Sequence, residues 1–248
     1  MRKREQAMYN ILTAALELFQ ENGFQDTSVR QIAERAEVAL GMINHYFISK
    51  EYLGAQVLSL LDAYSLAGLS ELVSFQRDPI LYDLTSVRVF FQFLSENGYW
   101  EFYLDSLRKD FFFNHLSSRP MVLVDALQKL YPFEASEDDS LLYSRYLPYM
   151  MEKTVILKKE DGLFPTISYD EVPYLICQTA MSHFIPEADI RAQDEESKRI
   201  AAKHCRKLQS RPPEEMILDF VHSLDASLQQ ASADSRDYLL RQISSLNP

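Results

Sequence analysis

Apolar residues recur every three or four positions through most of this chain. Met8, Ile11, Leu12, Ala15, Leu16 and Phe19 share one face and predict a helix from about Arg4 to Asn22. Gly23 follows the last turn and suits a left-handed stop. Ser28 and Gln31 have capping-box spacing, with Thr27 a second candidate cap. Val29, Ile32, Ala33 and Ala36 then turn inward, and this helix should end near Ala36. After a turn at Glu37–Ala39, a helix over about Leu40–Tyr46 buries Val38, Ile43 and Phe47 and points Met42, Asn44 and His45 elsewhere. Two short helices across a tight turn, braced by a longer one, follow the helix-turn-helix plan, whose second helix lies in a DNA major groove.

The pattern continues after Phe47. A helix capped by Ser49 should run to about Ser74 on Leu53, Val57, Leu60, Leu61 and Tyr64. Asp78-Pro79 breaks it. Residues 80–115 are rich in aromatics and predict two helices divided at Gly98, with Trp100, Tyr103, Leu104, Leu107 and Phe111 on one stripe. A short helix from Pro120 to Tyr131 follows. A longer one, capped by Ser136, runs to Gly162 with Tyr143, Tyr146, Leu147, Met150 and Met151 inward. Ser168 and Glu171 form a capping box that opens a helix to about Phe184, with Val172, Leu175, Ile176, Thr179 and His183 on one side. Residues 187–210 predict an extra helix. Pro212-Pro213 open another, with its stripe on Ile217, Phe220, Val221, Leu224 and Leu228, and a final helix covers about Ser235–Leu246.

Composition agrees with an all-α chain. The 248 residues hold 6 glycines and show no run of alternating β-branched residues. Two cysteines make no disulfide framework, and no apolar run is long enough to span a bilayer or mark a secretory signal, so a cytoplasmic protein is expected. Net charge is −11, which argues against a general nucleic-acid binder until its distribution is read. Residues 1–50 hold six basic and six acidic residues, and the excess acid lies entirely beyond them. Screening confines each patch to ~8 Å at physiological salt, so a neutral head with a basic tip can still meet phosphate.

Gly23-Phe24, Thr27-Ser28-Val29-Arg30-Gln31-Ile32-Ala33, Ala36, Val38, Gly41, Ile43, His45-Tyr46-Phe47, Ser49-Lys50-Glu51 and Leu53 stand at fixed spacings. Over about residues 8–55 this stretch resembles the DNA-binding domain of TetR-family transcriptional regulators. Ala39, Met42 and Asn44 depart from the residues frequent in that family. The resemblance implies a DNA-binding domain over 1–48 and a helical effector-binding and dimerisation domain over 49–248. It also implies a homodimer paired through helices at about 168–185 and 213–230, a double-stranded DNA operator as partner, and a small-molecule effector that releases a repressor from a palindromic site.

The residues expected at DNA are Ser28, Arg30, Met42, Asn44, His45, Tyr46 and Lys50. Asn44 and His45 can hydrogen-bond bases or phosphates, and Lys50 lies in a helix's first turn, where backbone amides also favour phosphate. Arg2, Lys3 and Arg4 read either as an arm toward DNA or as a solvated terminus. Trp100, Tyr103, Phe111, Tyr146 and Met150 are candidates for an effector pocket, with plain helical core the competing reading. His183 reads as a core or interface histidine. Cys177, His204, Cys205 and His222 lack metal-ligand spacing, and the basic run from Lys198 to Arg211 suits a helix dipole better than a second nucleic-acid site. No nucleotide loop or nucleophile elbow occurs, so no cofactor and no catalytic residue is expected. Two other functions stay open: a DNA-binding protein whose body only dimerises or docks a partner, and a helical enzyme.

Overall fold

The computed structural model describes residues 2–116, 122–227 and 229, and among them every regular element is helical. Three helices form the head: α1 (Lys3–Asn22), α2 (Val29–Arg35) and α3 (Leu40–Phe47). Ser28 caps α2 through its hydroxyl, which accepts from the Gln31 N–H at 3.2 Å, while Gln31 Oε1 accepts from the Ser28 N–H at 2.7 Å. Met8, Ile11, Leu12, Ala15, Ile32, Ile43 and Phe47 are all fully enclosed, so the predicted inner faces of the three helices meet. The head is closed off by α4 (Lys50–Ser65), whose Ser49 cap accepts from the Tyr52 N–H at 3.1 Å.

The body consists of α5 (Pro79–Glu96), α6 (Trp100–Lys109), α7 (Phe111–Leu116), α8 (Val122–Gln128), α9 (Glu137–Leu141), α10 (Leu147–Glu160), α11 (Val172–Met181), α12 (Glu187–Ala192) and α13 (Asp194–Cys205). A last helix, α14, covers residues 214–227. One continuous apolar cluster joins head and body, from Met8 and Phe47 through Leu53 and Phe102 to Ile176 and Val221. Buried Arg88 on α5 ties the far side together, meeting Ser197 and Asp194 of α13 and the carbonyl of Asp170.

Several boundaries differ from the pattern-based expectation. The helix from Ser49 ends at Ser65 rather than near Ser74. Gly68 takes a left-handed turn (φ 78°), which lets Leu69 and Val73 join Ile200 in a separate small core. The second aromatic helix breaks at Asp110, also left-handed (φ 58°), which yields both α6 and α7. The helix beginning after Pro120 is described from Val122 and stops at Gln128. Residues 187–210 form two helices rather than one. Leu228 and the helix expected over Ser235–Leu246 lie outside the described residues.

The largest departure concerns the segment from Ser136 to Gly162. Its path is continuous, but a π-helical turn over Leu142–Tyr146 separates α9 from α10. Pro148 lacks the N–H that α-geometry would offer to the carbonyl four residues back, and the Leu147 N–H donates to Leu142 instead. One extra residue in a turn rotates everything beyond it by about 100°. Tyr146, Leu147 and Met150, expected inward, therefore stand exposed, and Pro148 and Ile156 are buried in their place. His183, expected on an apolar stripe, is exposed beyond the end of α11 and stacks on Tyr143 with ring centroids 3.6 Å apart.

Candidate nucleic-acid interface and body cavity

The free surface of the head lies on α2 and α3. α3 packs by Ile43 and Phe47, and Leu40, Gly41, Asn44 and His45 face solvent. Asn44 and His45 are exposed, Met42 and Tyr46 half-buried. The His45 ring meets Tyr46 edge-on at 4.9 Å. Ser28 and Arg30 are exposed on the neighbouring helix end, where Arg30 pairs with Glu34 at 3.0 Å one turn along. The structure thus leaves Ser28, Arg30, Asn44 and His45 exposed on α2 and α3, with Met42 and Tyr46 half-buried.

Lys50 sits differently. Its Nζ donates to the carbonyls of Phe24 (2.6 Å) and Thr27 (2.7 Å) and lies 4.1 Å from the centre of the Phe24 ring. Burial and the nearby Lys109 charge lower its pKa. Two of its three N–H donors stitch the loop between α1 and α2 to α4.

The terminal arginines are also engaged. Arg2 and Arg4 both pair with Asp225 of α14, at 3.1 and 2.5 Å, and Arg2 also pairs with Glu5. The Arg2 hydrogen bond drives the Glu5 carboxyl down to about 2. At the other end, Arg211 meets Glu17 at 3.1 Å and Gln20 at 2.8 Å. α14 therefore runs antiparallel to α1 and lays Ile217, Val221 and Leu224 on the shared core. No local pattern announced this contact, because it joins residues 191 to 223 positions apart in the chain.

A cavity of about 400 Å³ lies in the body between α5, α6, α7, α10 and α11. Phe90, Phe91, Phe112, Phe113 and Tyr149 form most of its wall, and Glu152 reaches it from α10. Of the residues expected to bind an effector, Tyr103 lines this cavity. Trp100 packs edge-on against Phe91 just behind the wall and donates to Glu160 at 3.2 Å. Phe111 turns toward the head and meets Phe24 at 4.7 Å. Tyr146 and Met150 lie outside it for the helical reason given above. Glu152 accepts a hydrogen bond from the Tyr103 hydroxyl, and burial pushes its carboxyl up to about 8. The sequence carried a signal for the aromatic wall, in the density of rings over residues 80–115. It carried none for Glu152, a lone acid beside Lys153.

Of the two helices expected to pair with a second copy, α11 is largely covered within the protomer, while α14 leaves Glu215, Asp219, His222 and Ser223 exposed. Val172, Ile176, Cys177, Ala180 and Met181 of α11 are buried, and Leu175, Gln178 and Thr179 remain half-buried. Among the described residues no group of acidic, histidine and cysteine side chains could hold a metal ion, and no helix is long and apolar enough to cross a membrane.

Residues 11–57 match the family described as bacterial regulatory proteins, tetR family. The chain is 38% identical over 61 residues to the HTH-type transcriptional regulator HbdR of Aromatoleum sp. (strain CIB), covering 24% of this chain and 27% of that one. It is 46% identical over 43 residues to the HTH-type transcriptional regulator UidR of Escherichia coli (strain K12), covering 17% and 22%. These matches span about a quarter of the relatives' length. Among solved structures, a TetR-family regulator from Streptomyces coelicolor A3 covers 82% of this chain and 98% of its own at 17% identity and a TM-score of 0.35. A TetR-like transcriptional regulator from Rhodococcus sp. RHA1 covers 84% and 99% at 18% identity, also with a TM-score of 0.35.

Proposed function

With a head that belongs to the TetR family of bacterial regulatory proteins, we propose that this chain is a DNA-binding transcriptional regulator controlled by a small molecule held in its body. The observation that carries the reading is α3. Its buried side is spent on Ile43 and Phe47, and Asn44 and His45 are offered outward on a helix short enough to enter a major groove. A homodimer would set two such helices about one DNA turn (~34 Å) apart on a near-palindromic operator.

Repression released by the effector is the regulatory sense we propose. The cavity supports a sensor over a body that only docks partners, because its aromatic wall encloses a ligand-sized space. Phe112 and Phe113 line that space, and their neighbour Phe111 touches Phe24 of the head. A ligand that fits only one position of α7 would thereby favour one position of the head. It must prefer the state that does not bind DNA, since equal affinity for both states shifts nothing.

The test is selection of bound sequences from random duplex DNA with the full-length protein. Enrichment of a palindrome with half-sites about one turn apart is expected. A folded protein that enriches no sequence overturns the reading.

A further inference from the structure

We propose that the body cavity takes a compact organic cation, its ammonium group seated against Glu152 and its apolar or aromatic remainder among Phe90, Phe91, Phe112 and Tyr149. The inference rests on the effector-responsive reading above and names the chemistry of that same site.

Glu152 lies at the cavity wall. Tyr103 supplies one hydrogen bond, and a carboxylate accepts several more. The neighbouring Lys153 is turned to Asp110, 2.5 Å away, and Tyr149 donates to the same Asp110. Asp62 of α4 and Arg145 of the π-helical turn line the same cavity, and each has interactions of its own. Cys177 of α11 has its thiol pKa raised by burial and by Asp83. Among the described residues burial is what raises the Glu152 carboxyl, and the adjacent Lys153 is engaged by Asp110. The fold withdraws this half-buried carboxyl from part of its water, which is costly while the carboxyl is ionised.

The rings near it suit a cation. Tyr103 meets Phe90 edge-on at 5.7 Å and Phe91 at 5.6 Å, and Phe90 meets Phe112 at 6.1 Å. Ring faces attract a cation, more strongly when it is desolvated. A ligand ammonium would complete the electrostatics at Glu152 and gain from these faces together. The proton balance is simple: at neutral pH Glu152 holds a proton, and on binding a permanent cation it releases that proton to the buffer.

The experiment is titration calorimetry of the full-length protein with 4-phenylbutyltrimethylammonium, whose charge does not titrate, and with 5-phenylpentan-1-ol as a neutral probe of similar shape. The cation should bind at least about tenfold tighter than the alcohol at pH 8.5, and its affinity should fall by up to about tenfold per unit below pH ~8. At pH 7 its heat should vary with the ionisation enthalpy of the buffer, in proportion to about one released proton. Glu152→Gln should abolish both the preference and the pH dependence. If that variant does not fold, the pH profile of the unmodified protein decides alone. Equal or tighter binding of the alcohol, a pH-independent affinity for the cation, or no binding of either probe would overturn the proposal. A palindrome enriched in the DNA selection without cation binding would sink this inference and leave the regulator reading intact. Cation binding without DNA enrichment would do the reverse.

Discussion

In the head, Met8, Ile11, Ile32, Ile43 and Phe47 leave no accessible surface, while in the body the rings around Tyr103 enclose about 400 Å³. Both regions are all-helical and share one apolar cluster. They differ in what their side chains are asked to fill. Three short helices can hold α3 in place only if every inward position is packed, since short helices draw their stability from tertiary contact. The cavity wall keeps open space, so its side chains forgo contacts that a ligand can restore. Packing is complete behind α3 and incomplete around the body cavity.

The sharpest way to break this contrast is to open a hole in the head. Phe47→Ala should cost about 3–5 kcal/mol, because a large side chain is lost from a site that cannot collapse. Urea denaturation should show it as a lower midpoint, and operator binding should be lost with it. The junction between the regions comes next. A methyl group on Gly54 would stand 3.0 Å from the Phe24 ring and 3.1 Å from Phe111. Those rings also pack on Phe19 and Phe102. Gly54→Ala should therefore destabilise by about 1–3 kcal/mol, and ligand titrations should show it altering the coupling between cavity and DNA.

The body should reveal itself through pH. Glu152 has its carboxyl raised by burial from an ordinary 4.5 to about 8. Between those values the folded state holds a proton that the unfolded state has released, so stability declines as pH rises through this window and levels off above it. Asp83, raised to about 6, adds to the lower part of the same slope. Glu152→Gln should flatten the decline between pH 6 and 8, and thermal melts in a pH series check this. An unchanged slope would mean that Glu152 is solvated in the native state. The smallest effect belongs to α14. Asp225→Asn should cost about 1–2 kcal/mol, because a buried carboxylate loses its pairing with Arg2 and Arg4 while both arginines can still reach solvent. Freed from Asp225, those arginines should steepen the salt dependence of DNA binding, by up to about one unit of log–log slope for each new phosphate contact.

The head was largely readable along the chain. Each of its elements is set by contacts a few residues apart: the Ser28–Gln31 capping box, the stop at Gly23 and the inward spacing of Ile32, Ile43 and Phe47. Exposure of Ser28, Arg30, Asn44 and His45 followed from the same periodicity. Lys50 was different, because its partners are carbonyls of a loop more than 20 residues earlier in the chain. The body was less readable for a similar reason. A single residue in the turn at Leu142–Tyr146 re-aimed Tyr146 and Met150, and simple periodicity has no place for such an insertion.

The sequence by itself determined helices, caps and which face of each helix seeks company, since propensity, hydrogen bonding within a turn and amphipathic spacing are local properties. It also determined the likeness of the head to TetR-family regulators. Tertiary structure decided which faces meet: α14 on α1, Phe111 on Phe24, and Glu152 facing a cavity beside Tyr103. These depend on where one element ends and the next begins in space. A one-residue change in a turn alters that by about 100° of rotation while leaving the apolar pattern unchanged.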